Sequence, residues 1–196
     1  MTCAAALVIT PGTTFEYAFR VTTGKPVNKQ ITAASKAASC VLTVPGHGLT
    51  DDWPFRIQDV VTPFELNSPA DDSSQVLLAN VVDADTLQLD GVNSLGMKAF
   101  IAGTGVISYL QPGDLEGLAA RLVVRPKPAS AASVVYNSVT GDLVVDKATA
   151  AIDVVLSAVK TAAIAWKSGT YDLELFDPAD TAKVYRIASG TIALGA

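Results

Sequence analysis

The sequence predicts an all-β protein, on three observations. Fourteen Gly and ten Pro fall at intervals that cut the chain into short pieces, and these two residues interrupt regular structure rather than extend it. The pieces between them are rich in β-branched and other apolar residues that alternate with polar ones, the period of a half-buried strand. Apolar residues at helical spacing recur over a single short stretch.

In chain order, Ala4 to Thr10 and Thr14 to Val21 read as two strands joined by the Pro11-Gly12 turn. Alternation puts Phe15, Tyr17 and Phe19 on one face of the second strand and Glu16 and Arg20 on the other. A second block opens near Gln30 with ITAASKAASCVLTVPGHGL, where Cys40 to Val44 is a strand stopped by Pro45-Gly46. Pro54 to Asp59, Ser74 to Val82 and Thr86 to Leu89 follow as short strands, the last two linked tightly through Asp83-Ala84-Asp85. Asp90-Gly91 is a further turn, and Gly105 to Leu110 closes a block with the look of a compact meander or small barrel. Past the Gln111-Pro112-Gly113 break come Ala119 to Arg125, Val134 to Asn137, Leu143 to Asp146, Ile152 to Leu156, Gly169 to Asp177 and Lys183 to Ile192. Their number and spacing are those of a sandwich. Leu156, Val159, Ala163 and Ile164 predict one short helix within Leu156 to Ala165, and Asp177-Pro178-Ala179-Asp180 joins the last two strands as a hairpin.

At 196 residues the chain has room for one large or two small domains, and two small modules is the reading adopted. It is 49% hydrophobic and only 17% charged, with a mean hydropathy of +0.36. That is apolar for its size and points to surface covered by neighbours. Fourteen basic residues against nineteen acidic ones, interspersed, leave a net charge of −5, which disfavours binding to a phosphate backbone. The start MTCAAALVITPG has no basic leader and reads as a first strand rather than a signal segment. No stretch approaches the roughly 18 apolar residues that span a bilayer. The expectation is a chain assembled in a cytoplasm, with neither nucleic acid nor membrane as partner.

Chemistry-bearing patterns are sparse. His47, the single histidine, sits in the turn PGHGL with no second imidazole or carboxylate at readable spacing, so a structural role is expected. Asp51-Asp52, Asp71-Asp72 and the pair Asp83 and Asp85 fall short of a calcium loop, which needs about six to eight oxygens, and read as solvated turns. Cys3 and Cys40 have no CxxC spacing; buried thiols are the simpler reading, and a disulfide between neighbouring strands is left open. No nucleophile elbow or phosphate-cradling loop occurs, and Gly103-Thr104-Gly105 is a plain turn. No enzyme, cofactor or metal is expected. Trp166 reads as a lid over a sandwich core, and Trp53, beside Pro54 and Phe55, as an interface residue.

The segment SGTYDLELFDPADTAKVYRIASGTIAL, preceded by LSAVKTAAIAW, resembles the end of the immunoglobulin-like domains of bacteriophage tail and baseplate proteins, of the upper-baseplate N-terminal type. GDLEGLAARLVVRPKP (Gly113 to Pro128) is similar to an earlier strand of that family, and Leu7 to Val21 to its first hairpin. Between them, SCVLTVPGHGLTDDWPFRIQDVV, VLLANVVDADTLQLDGV and GTGVISYL resemble a small β-barrel module of phage tail proteins, similar to a half-domain of ubiquitin-activating enzymes. Trp53-Pro54-Phe55 and the irregular Phe64 to Ser73 depart from its pattern.

The resemblance implies a discontinuous immunoglobulin-like β-sandwich from residues 1–30 and 111–196, with a small β-barrel inserted at 31–110. It further implies a non-catalytic virion structural protein of the tail, neck or baseplate. Its partners would be other virion structural proteins and copies of itself in a symmetric homo-oligomer, through apolar burial and strand addition. Trp53, Phe55, Tyr109 and Arg125 are the expected interface anchors. A receptor- or carbohydrate-binding adhesin with a groove around Trp53 is the alternative, and a head decoration protein the third.

Overall fold

In a computed structural model of the chain, the structure describes residues 5–69, 76–127 and 132–195. Cys3, the Asp71-Asp72 pair, Pro128 and the expected strand starts at Ala4 and Ser74 lie outside them. The described residues form strands β1 (Ala6–Ile9), β2 (Phe15–Arg20), β3 (Thr22–Gln30), β4 (Ala33–Ala34), β5 (Cys40–Thr43), β6 (Pro54–Gln58), β7 (Leu77–Leu78) and β8 (Asn80–Asp83). Then come β9 (Thr86–Leu89), β10 (Val106–Pro112), β11 (Ala119–Lys127), β12 (Val134–Asn137), β13 (Leu143–Asp146) and β14 (Ala151–Leu156). Helix α1 (Ala158–Ala162) precedes β15 (Ser168–Asp177) and β16 (Asp180–Leu194), and a 3-10 turn occupies Phe64–Leu66. The protein is all-β. The chain divides into two compact units, Met1–Val21 with Gly113–Ala196, and Thr22–Pro112.

The discontinuous unit holds a five-stranded sheet, ordered β1-β16-β15-β11-β12, and a three-stranded one, β13-β14-β2. Alternation builds the core between them. On β11, Ala120, Leu122 and Val124 are buried, and their register partners on β15 are Leu175, Leu173 and Tyr171, also buried. Phe19, Ile152, Val154 and Leu143 from the smaller sheet join the same cluster. Here the expected first hairpin is corrected. β1 and β2 do not pair with each other: β1 runs parallel to β16, Leu7 opposite Ile192, while β2 pairs with β14. The physical reason is that Leu7 and Ile9 on β1, and Phe19 on β2, each need an apolar face to cover them, and that face is the core shared by both sheets.

Two close fits hold this unit. A side chain on Gly190 would collide with the backbone carbonyl of Ala5, which also accepts a hydrogen bond from the Tyr171 hydroxyl at 3.1 Å. Ser157 caps α1, its Oγ accepting from Lys160 N at 3.4 Å. The helical stripe expected from sequence differs from the real one. Val159 is 79% exposed, and the inward residue is Thr161, fully buried. Its hydroxyl accepts from Gly12 N at 3.1 Å and donates to Thr13 O at 2.7 Å, satisfying the β1–β2 turn.

The continuous unit, Thr22–Pro112, contains two four-stranded sheets, β3-β10-β6-β7 and β4-β5-β9-β8. The expected barrel is not closed among the described residues. The chain steps from one sheet to the other at Ile31-Thr32 between β3 and β4, where Ile31 N donates to Gly105 O in the first sheet and Thr32 N to Thr43 O in the second, and at Ala79 between β7 and β8. Such corners let short strands share one core without a continuous ring of ladder bonds. Ile31 and Ala79 are themselves buried at these corners.

The unit also begins earlier than residue 31. β3 pairs with β10 from Gln30↔Val106 to Thr22↔Pro112, so Thr22 to Gln30 belong with the insert. β3 carried no readable signal because it is an edge strand exposed along nearly its whole length, and Pro26 is tolerated there for that reason.

Candidate functional site

Trp53, Phe55 and Tyr109, expected as surface anchors, lie in the core of the continuous unit, at 0%, 1% and 7% exposure. They are packing residues. Trp53 Nε1 donates to Leu110 O at 2.9 Å, which satisfies the indole inside apolar surroundings. Arg125 does lie at the surface, on the outer face of β11 in the other unit, where its guanidinium pairs with Asp172. Arg186 reaches the same carboxylate at 3.3 Å, and Arg121 pairs with Glu174 at 2.7 Å one step along the sheet. Arg125 is thereby already engaged within its own sheet. Trp166 is 9% exposed and belongs to the core of the discontinuous unit.

His47 is almost wholly buried, and its surroundings fix its proton. Leu49 N donates to Nδ1 at 3.0 Å, so Nδ1 is the unprotonated nitrogen and Nε2–H faces the Asp83 carbonyl at 2.9 Å. The Tyr109 hydroxyl donates to the His47 carbonyl. Both ring nitrogens and the carbonyl of His47 are engaged within the chain, leaving no ring nitrogen for a substrate.

Asp51, Asp83 and Asp85 serve turns in the same way. Asp51 accepts from Val81 N at 2.7 Å and Asp85 from Gly46 N at 2.7 Å. Asp83 accepts from Asp85 N at 2.8 Å, and that bond chiefly holds its carboxyl below the ordinary value. No group of three metal-ligating side chains is assembled among the described residues. Cys40 is a buried free thiol beside the Ser35 carbonyl.

Two features that sequence reading missed are better placed to meet another molecule. The first is the loop Val60 to Asn67 of the continuous unit. Asn67 clamps it, Oδ1 accepting from Val60 N at 2.9 Å while Nδ2 donates to Val60 O at 2.8 Å and Phe64 O at 3.1 Å. Leu66 plugs into the core, and Ile101 N donates to Thr62 O at 3.1 Å, bringing a second segment alongside. The result is a fixed loop that shows Val61 (65% exposed), Phe64 (74%) and Ile101 (48%) to solvent. Pro63 marks the turn in the sequence, but nothing there reveals that an amide four residues later will pin it.

The second is a cleft of about 790 Å³ in the discontinuous unit, between β12 and the segment from α1 to Trp166. Its apolar walls include Pro126, Val134, Tyr136, Ile164 and Trp166, and Lys127, Lys160 and Lys167 line it as well. Lys160 is tied to Asp142, whose carboxylate also accepts from Thr140 Oγ1 at 2.6 Å. Burial pushes the Asp142 carboxyl up, but the bonds from Lys160 and Thr140 outweigh it and hold the group below its ordinary value. Burial, with the charge of Asp142, pushes the Tyr136 phenol up, so it stays protonated at neutral pH.

No protein-family model matches this chain, and no curated protein matches it.

Proposed function

We propose that this chain is a non-catalytic structural subunit of a bacteriophage virion, built as an immunoglobulin-like sandwich with an inserted small β-module, and working through protein-protein contacts at the tail, neck or baseplate. The observation that carries the reading is the clamped loop, which presents Val61, Phe64 and Ile101 without an apolar neighbour to cover them. Large apolar side chains fixed in a defined geometry suit an interface, since little ordering entropy remains to be lost on docking. The partner consistent with it is another virion structural protein or a second copy in a closed ring. The adhesin alternative is the weaker of the two, because Trp53, on which its groove depended, is enclosed in the core.

The test is the mass of the purified chain by light scattering, alone and with virion extract, for the native sequence and for the double variant Val61→Ser, Phe64→Ser. The native chain is expected above its monomer mass of 20.3 kDa, alone or with a recruited neighbour. Fully burying one such side chain contributes about 1.5 to 3 kcal/mol, so the double variant should weaken association at least tenfold with unchanged circular dichroism. A chain that stays monomeric at all concentrations and recruits nothing would remove the assembly reading.

A further inference from the structure

Strand β2 ends the sheet β13-β14-β2, and no further strand pairs with its outer side among the described residues. Edges of this kind are ordinarily guarded by lysine, proline or a bulge. The other long edge strand, β3, is guarded: it carries Lys25, Pro26 and Lys29, with no acidic residue for a second β3 to meet. β2, of sequence FEYAFR, has none of these devices. Its pairing with β14 runs without a register shift, and Glu16, Tyr17 and Ala18 are exposed.

The phase of the ladder decides what this edge offers. Val21 N donates to Ala150 O at 2.8 Å, while Val155 N turns away from β2 to Asp142 O at 2.8 Å. Tyr17 and Phe19 therefore bond to β14, and Glu16 and Ala18 direct their amide and carbonyl groups to the open side. Alternation puts the side chains of Glu16, Ala18 and Arg20 together on the outer face of the sheet, with Phe19 turned to the core. Asp146 and Asp153 share that face. Burial, with the charges of Asp146 and Glu16, pushes the Asp153 carboxyl up against the opposing pull of Arg20.

We propose that β2 pairs antiparallel with β2 of a second copy of this chain, across a two-fold axis at Ala18. In that register Glu16 of each copy lies opposite Arg20 of the other, Tyr17 opposite Phe19, and the small Ala18 opposite itself. Core-side and outer-face residues keep their own sides. An axis at Glu16 or at Arg20 sets like charges against each other, and one at Tyr17 or Phe19 parts Glu16 from Arg20. The charge pattern is thus self-complementary about Ala18 alone, and the interface is isologous and closed. The contact names a partner for the assembly reading, on which its purpose rests, and it lies in the discontinuous unit whereas the clamped loop belongs to the continuous one.

The whole chain carrying Val61→Ser and Phe64→Ser separates this contact from that of the loop. Sedimentation velocity over a concentration series should find it dimerising to twice its 20.3 kDa. In the same background, Glu16→Arg alone and Arg20→Glu alone should each weaken the dimer about tenfold, since like charges then face each other on both sides of the axis. An equimolar mixture of those two chains should restore it, every acidic residue again facing an arginine; a folding defect would not be rescued in this way. Ala18→Pro removes the amide at the axis, where an edge strand tolerates proline, and should abolish the dimer with unchanged circular dichroism. A monomer at all concentrations, single reversals that leave the dimer intact, or a mixture that associates no better than its components would each overturn the proposal. None of these results touches recruitment of virion neighbours by the native loop, which reports separately on the assembly reading.

Discussion

At the scale of single residues, the polar groups of this protein matter through the backbone they satisfy. His47 accepts from one backbone amide and donates to one carbonyl inside the core, so His47→Ala strands both and leaves a void. Losing such partners together with packing costs about 2 to 4 kcal/mol, read as a lower midpoint in urea at pH 7. A change below about 0.5 kcal/mol would mean that the turn holds without the ring. Asp142 and Asp153 should behave oppositely. The carboxyl of Asp142 is held below the ordinary 3.8, so its stabilisation is present above that value and lost as pH falls through the lower, folded one. Asp142→Asn should be less stable than the native chain at pH 7, with the gap closing in acid. Asp153 is pushed up by burial and by the nearby charges of Asp146 and Glu16, with Arg20 opposing. Folding favours its neutral form, an advantage present below 3.8 and lost as pH rises through the folded value. Asp153→Asn should therefore gain stability at pH 7 and lose that gain in acid, as measured by thermal midpoints from pH 2.5 to 7.

At the scale of elements, β1 is held by a parallel pairing to β16 and by the approach of Ala5 to Gly190. Gly190→Ala places a methyl group against that backbone carbonyl, which no rotamer can relieve. The strand must shift, at a cost of about 1 to 3 kcal/mol. Amide exchange should quicken in β1 while β11 and β15 keep their protection; uniform quickening would show that β1 is inseparable from the rest of the sheet. Strands whose alternation faces a core, such as β9 and β12 to β14, match the sequence reading nearly residue for residue. β3 and β4 do not, because exposed edge strands carry no apolar period to read.

At the scale of the whole molecule, each unit closes on itself where the chain crosses between them. Gly113 N donates to Val21 O at 2.8 Å, and Thr22 is the register partner of Pro112. Replacing Thr22 to Pro112 by a Gly/Ser loop of about four residues should leave a chain that folds cooperatively, since a tight loop can bridge paired neighbours. Residues 22–112 expressed alone should also fold, each judged by a sigmoidal melt. A non-cooperative melt from either piece would show that its core is incomplete without the other.

The sequence by itself determined the class of this protein and the run of most strands, because period-2 alternation and Gly/Pro turns are local consequences of local residues. It also marked His47, Asp51, Asp83 and Asp85 as turn-builders, for want of chemical partners nearby in the chain. Only the tertiary structure decided that β1 and β2 part to opposite sheets, that the inserted strands turn corners instead of closing a ring, and that Trp53, Phe55 and Tyr109 face inward. Those outcomes depend on which apolar faces meet. An aromatic residue reads the same in sequence whether its strand face lands on a core or on solvent, and the Asn67 clamp and the lysine-lined cleft join groups whose proximity arises only on folding.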